Sequence, residues 1–156
     1  MSSEGTEIPG NGGMPQLQIV AQYIKDLSFE NPGAPNGLTQ RPQIEFAMDL
    51  ASKRLDGEHF EMEMKLRVNA TAEGRPLFLI ELSYGGLFRI VNIPDEAIQQ
   101  ILGIQAPHML FPFARRIIAD LARDGGMPPL MIEPIDFVAL YQARLAQQAQ
   151  QPVGNA

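Results

Sequence analysis

The chain has 156 residues, 45% of them hydrophobic and 19% charged, with no cysteine, a net charge of −6 and a pI near 4.8. That is the size of one domain with apolar material for a single core. The acidic balance disfavours phosphate backbones and anionic lipid, the missing thiols exclude disulfides and cysteine metal sites, and no stretch approaches the roughly 20 apolar residues of a membrane span.

Residues 1–16, rich in Gly, Ser, Asn and Glu, lack the basic start and apolar centre of a secretory signal, so a cytoplasmic location is expected. They are also too polar to recover the entropy of ordering, as is the neutral tail 147–156, and both segments are expected to be disordered. A single ordered domain is expected over 17–146.

Within that domain the apolar period is 2 in the N-terminal half and about 3.6 in the C-terminal half. Strands first and helices second define an α+β protein, with a four-stranded antiparallel sheet and helices packed on one face. In the first strand Leu17, Ile19, Ala21, Tyr23, Lys25, Leu27 and Phe29 are expected on one side, with Gln18, Gln22, Asp26, Ser28 and Glu30 on the other. The turn formers of 31–37 cannot continue a ladder and mark a long crossover loop.

Ile44, Phe46, Met48 and Leu50 alternate with polar neighbours, and after a turn at Asp56–Gly57 the series Phe60, Met62, Met64, Leu66, Val68, Ala70 repeats the pattern. These are two antiparallel strands with one dry face. After Glu73–Gly74 the run from Leu77 to Tyr84 is apolar on both sides at its start, which suits a central strand or a subunit contact.

Pro94–Asp95–Glu96 opens a short helix that Gly103 is expected to close. A longer helix is expected from about Pro107 to Arg123, kinked or restarted at Pro112 and ended by Gly125–Gly126. Asp136 is placed to cap a last helix whose Phe137, Leu140, Tyr141 and Leu145 fall on one stripe.

Catalytic signals are weak. His59 and His108 have no spacing that suggests a triad, Glu61 and Glu63 read as solubilising charge, and Tyr84–Gly85–Gly86–Leu87–Phe88 lacks the Lys–Ser/Thr of a phosphate loop. The two glycines are better explained by a bulge or a close approach. No acidic run has the alternation of a calcium loop, so no metal and no cofactor are expected. Leu79 and Glu81 share one face of their strand, and Asp26 and Glu30 share one face of theirs. If the two faces coincide, they form an acidic patch around a leucine.

Three segments carry a family likeness: residues 23–35, 84–88 and 110–115, in the same order and at similar spacing. Over about Leu17 to Leu145 the chain resembles the SecB family of protein-export chaperones. The resemblance implies an ATP-independent, non-enzymatic chaperone that holds unfolded secretory preproteins and delivers them to SecA, assembled as a homotetramer, a dimer of dimers. It further implies that Asp26, Glu30, Leu79 and Glu81 contact the zinc-bearing C-terminal tail of SecA. Ile44, Phe46 and Met48 match client-binding positions, and Phe78, Ile80, Leu82 and Tyr84 match positions that matter for oligomer assembly. Two other expectations compete: a small acid–base enzyme using Glu81 or His59, and a SecB-like chaperone dedicated to one partner such as an antitoxin.

Overall fold

A computed structural model describes residues 13–150. Residues 1–12 and 151–156, on which most of the expected disorder falls, lie outside the described residues. Four strands, β1 (Gln16–Glu30), β2 (Gln43–Arg54), β3 (His59–Ala72) and β4 (Arg75–Val91), form one antiparallel sheet in the order β1-β4-β3-β2. β4, apolar on both sides at its start, is therefore central, between β1 and β3. β1 and β2 occupy opposite edges, and residues 31–42 cross from one edge to the other.

That crossing is tied down at three points. Gly33 donates its amide to the Leu77 carbonyl at 3.0 Å, the Asn31 side-chain amide donates to the Gly125 carbonyl at 2.9 Å, and Leu38 lies against Gly126. The hairpin at Glu73–Gly74 has φ of 52° and 74° at its two residues, the left-handed pair that a two-residue turn demands. Asp56 accepts amide bonds from Glu58 and His59 at 2.8 Å each and so closes the other hairpin.

β3 keeps strict alternation. Phe60, Met62, Met64, Leu66, Val68 and Ala70 are all buried on the inner face. Their partners Phe88, Gly86, Tyr84, Leu82, Ile80 and Phe78 on β4 lie on the same face.

β1 departs from the expected alternation. Two bulges interrupt it, between Ile19 and Ala21 and between Ile24 and Asp26. Each extra residue reverses the parity, so Gln22 and Ile24 point inward while Ala21, Tyr23 and Lys25 point outward, opposite to the expectation for Ala21, Gln22, Tyr23 and Lys25. The second bulge restores the original parity, and Asp26, Ser28 and Glu30 face outward as expected.

The helices pack on the inner face. α1 (Asp95–Gln100) does not end at Gly103: it passes through a single π-helical turn at Ile101–Gln105 into α2 (Ala106–Asp124). Ala106 donates to the Ile101 carbonyl, five residues back. Pro107 follows with no amide to donate and a ring that would crowd a regular turn, and the wider turn accommodates it. Gly103 serves contact instead of termination, since a Cβ there would stand 2.5 Å from the Tyr141 ring of α3 (Phe137–Gln150). α2 also continues through Pro112 without restarting.

α3 begins where Asp136 accepts the Ala139 amide at 3.1 Å. Phe137 is buried edge-on against Phe111, with ring centroids 5.9 Å apart. Beyond Phe137 the expected stripe is only partly covered, since Leu140 and Leu145 are exposed.

The glycine pair of β4 serves both faces at once. A Cβ on Gly85 would meet the Tyr23 ring on the outer face at 2.5 Å, and one on Gly86 would meet Leu110 of α2 on the inner face at 2.7 Å. The bulges lie opposite, in β1, and the two glycines clear side chains where a packed backbone had been expected.

Candidate docking surface

The outer face of the sheet carries no helix. From Glu63 to Thr71, every outward residue of β3 is half-buried or exposed. On this face Glu30 pairs with Leu79, Ser28 with Glu81 and Asp26 with Ser83. Asp26, Glu30, Leu79 and Glu81 thus share one surface, because β1 and β4 are neighbours and the second bulge returns the parity of β1.

The charge around Leu79 is uneven. Glu81 stands 3.7 Å from Arg67, and both side chains are at least half exposed, so water weakens this pair. Asp26 and Glu30 have no ion-pair partner among the described residues. Leu79 is half-buried beside them. An open trough of about 580 Å³ continues the surface, bordered by Lys25, Asp26, Glu63, Lys65, Arg67 and Glu81 among others.

A network that the sequence did not announce adjoins this patch. Tyr23 donates its hydroxyl to Glu61 at 2.6 Å, and the Lys25 ammonium donates to Glu61 at 2.9 Å and to Glu63 at 3.5 Å. The Ser83 hydroxyl donates to Glu63. Glu61 is buried, and the bonds from Tyr23 and Lys25 hold its carboxyl below the usual range against the opposing effect of burial. Glu63 is held low chiefly by Ser83. Burial, aided by the anionic Glu61, pushes the Tyr23 phenol up to about 12. Glu61 and Glu63 are therefore fixed parts of the surface and not merely solubilising charge.

Ile44, Phe46 and Met48 lie together on the inner face of edge strand β2. Phe46 and Met48 are half-buried against the core, while Ile44 is exposed. They form an apolar strip at an open margin.

The four residues expected to matter for oligomer assembly lie on the inner face of β4. Phe78, Ile80, Leu82 and Tyr84 are 2, 0, 2 and 7% exposed within a single chain. Side chains already covered by the subunit's own helices have no area left to bury against a second copy. The apolar surface that remains open on the inner face near β1 belongs to Ile24 and Leu27.

The arrangement does not assemble catalytic machinery. His59 pairs across the sheet with Arg89, eight residues along β4 from Glu81, which is roughly 26 Å at the rise of a strand. His59 instead contacts Asp56 at 3.0 Å, within its own hairpin, and His108 lies edge-on to Phe137. Among the described residues no group of carboxylates and histidines is arranged to hold a metal ion, and no helix is long and apolar enough to cross a membrane.

An antiparallel sheet with helices on one face leaves a charged, open outer surface and an apolar strip at one edge, the surfaces of a protein that binds other chains. The family description "Preprotein translocase subunit SecB" matches residues 11–148, and the chain belongs to the SecB family. Protein-export protein SecB of Parvibaculum lavamentivorans is 48% identical over 157 residues, covering 94% of each chain. That of Azorhizobium caulinodans is 44% identical, covering 95% of this chain and 96% of its own. That of Hyphomonas neptunium is 48% identical, covering 99% and 97%. Among solved structures, the SecB-like chaperone Rv1957 of Mycobacterium tuberculosis, in complex with a ChAD peptide from the HigA1 antitoxin, superposes with a TM-score of 0.66 at 16% identity. It covers 76% of this chain and 90% of its own, a likeness of fold. The family is one of protein-export chaperones, not enzymes, that bind preproteins for SecA-dependent export.

Proposed function

We propose that this export chaperone meets SecA through Asp26, Glu30, Leu79 and Glu81, and that the segment docked there is the zinc-bearing basic tail. The observation that carries the reading is the register of β1 on β4, which sets two unpaired carboxylates beside a half-buried leucine on a helix-free face. A negative face and a cationic tail give steering and orientation, while desolvation of Leu79 adds contact energy. Any zinc in this encounter belongs to the tail.

Clients are assigned to the strip of Ile44, Phe46 and Met48. Apolar burial there is non-directional, at about 25 cal/mol per Å², and the adjoining free edge of β2 can pair with an extended backbone. Each such contact is weak, and a homotetramer, a dimer of dimers, multiplies it by making later contacts intramolecular. The exposed Ile24 and Leu27 supply assembly area that the four core residues of β4 do not. The cytoplasm is the compartment where unfolded precursors and SecA are met.

The decisive experiment is isothermal titration of a synthetic zinc-loaded SecA tail peptide into the wild-type protein and into Leu79→Ala. Docking is expected to weaken about tenfold or more, with thermal unfolding unchanged. Equal affinity for both proteins would remove the assignment.

A further inference from the structure

With the first bulge in place, the docking patch keeps its outward parity because β1 carries a second bulge at Lys25. One residue of slip in this strand would turn Asp26, Ser28 and Glu30 toward the inner face and Leu27 and Phe29 outward. Leu27 and Phe29 resist that slip only partly, since Leu27 is 39% exposed where it now sits. Edge strands are also the least constrained part of a sheet, with one side free of pairing.

The bulged residue is the one that is tied down. Lys25 is the extra residue between Ile24 and Asp26, and its ammonium reaches across β4 to two carboxylates of β3, Glu61 at 2.9 Å and Glu63 at 3.5 Å. Tyr23, two residues earlier, packs its ring against Gly85 and bonds the second oxygen of Glu61. These contacts span three strands. They are available only if the segment between the two bulges has its present parity, because reversing it would turn Tyr23 and Lys25 inward, away from Glu61.

We infer that Tyr23, Lys25, Glu61 and Glu63 form a register lock for β1, and that through it they act as positioning residues for Asp26 and Glu30 of the docking patch. The inference rests on the docking role proposed above. It makes an opposite-sign demand: deleting the Lys25 charge makes the face more negative, which by attraction alone would strengthen the hold on a basic peptide. A register lock requires the reverse, since the carboxylates lose their fixed place beside Leu79.

Two measurements on the full-length protein test this. The first is titration of the zinc-loaded basic SecA tail peptide into wild type, Lys25→Met and Lys25→Arg. The second reads register directly: the chain has no cysteine, so a Ser28→Cys/Glu81→Cys pair reports by its rate of disulfide formation whether these partners still face each other. Lys25→Met is expected to weaken peptide binding about fivefold and to slow cross-linking by a similar factor, while Lys25→Arg restores both. Binding by Lys25→Met as tight as wild type or tighter overturns the lock, and so does weaker binding with an unchanged cross-linking rate. If wild type does not bind the peptide while Lys25→Met still slows cross-linking, the lock stands and the docking assignment falls.

Discussion

β3 and β1 are strands of similar length, 14 and 15 residues, in one sheet, yet they use opposite strategies. β3 is regular and held from both sides, and its inner residues form the centre of the core. β1 is an edge with two bulges, and its central segment is held as much by polar contacts on the outer face as by burial on the inner one. The difference locates function. The regular strand supplies stability, and the irregular one aims the side chains that a partner would read.

The largest effect separating the two regions is expected in the core beside β3. Ile80, paired with Val68, has no exposed surface, and an arginine there would place an unpaired charge among Phe29, Val68 and the helices. Ile80→Arg is expected to cost more than about 4 kcal/mol and to unfold the subunit, where a contact residue would only have released it from its neighbours. Circular dichroism and sedimentation on the same sample decide. A folded protein of reduced mass would return Ile80 to a subunit contact.

Next in size is the glycine pair. Gly86→Ala sets a methyl against Leu110 and Phe88, both fully buried and unable to yield, and is expected to cost about 1–3 kcal/mol. Gly85→Ala pushes only the Tyr23 ring, which can swing toward solvent. Its cost is expected to be near that of Tyr23→Phe, about 1 kcal/mol for one lost hydrogen bond. Denaturant midpoints at a fixed protein concentration measure all three, and equal values for the two glycine variants would erase the contrast between the faces.

The same contrast governs what the sequence discloses. Alternation assigns a face correctly while the ladder is regular, so β2, β3, the hairpin turns, the Asp136 cap and the crossover loop were all legible. In β1 the assignment failed for Ala21, Gln22, Tyr23 and Lys25, because a bulge adds a residue without a composition of its own. A signal was present nonetheless: Val20 and Ile24 are apolar at positions that strict alternation would make polar. The patch survived this error because two bulges cancel, leaving Asp26 and Glu30 in phase with Leu79 and Glu81. The helix boundary at Gly103 misled for another reason, since glycine marks close contact with Tyr141 as readily as a stop. For the four residues of β4 the sequence could not separate the two readings, because an apolar central strand and an apolar interface read alike until neighbours are known.

The smallest expected effect is the acid dependence of β1, and its sign follows from which side of the ordinary value the carboxyls lie. Glu61 and Glu63 are both held below 4.5, so the folded protein binds their protons less readily than the unfolded chain. Their contribution to stability is therefore complete above pH 4.5 and is lost as pH falls through their lowered folded values. A Glu61→Gln/Glu63→Gln double variant lacks that contribution at every pH. Urea midpoints of wild type and variant should differ near pH 7 and converge as the pH is brought below 4.5, whereas regular β3, whose inner face holds no ionisable carboxyl, adds nothing to the convergence. A difference that stays constant from pH 7 to about pH 3 would mean that the outer network is ordinary solvated charge, and that β1 owes its register to burial alone.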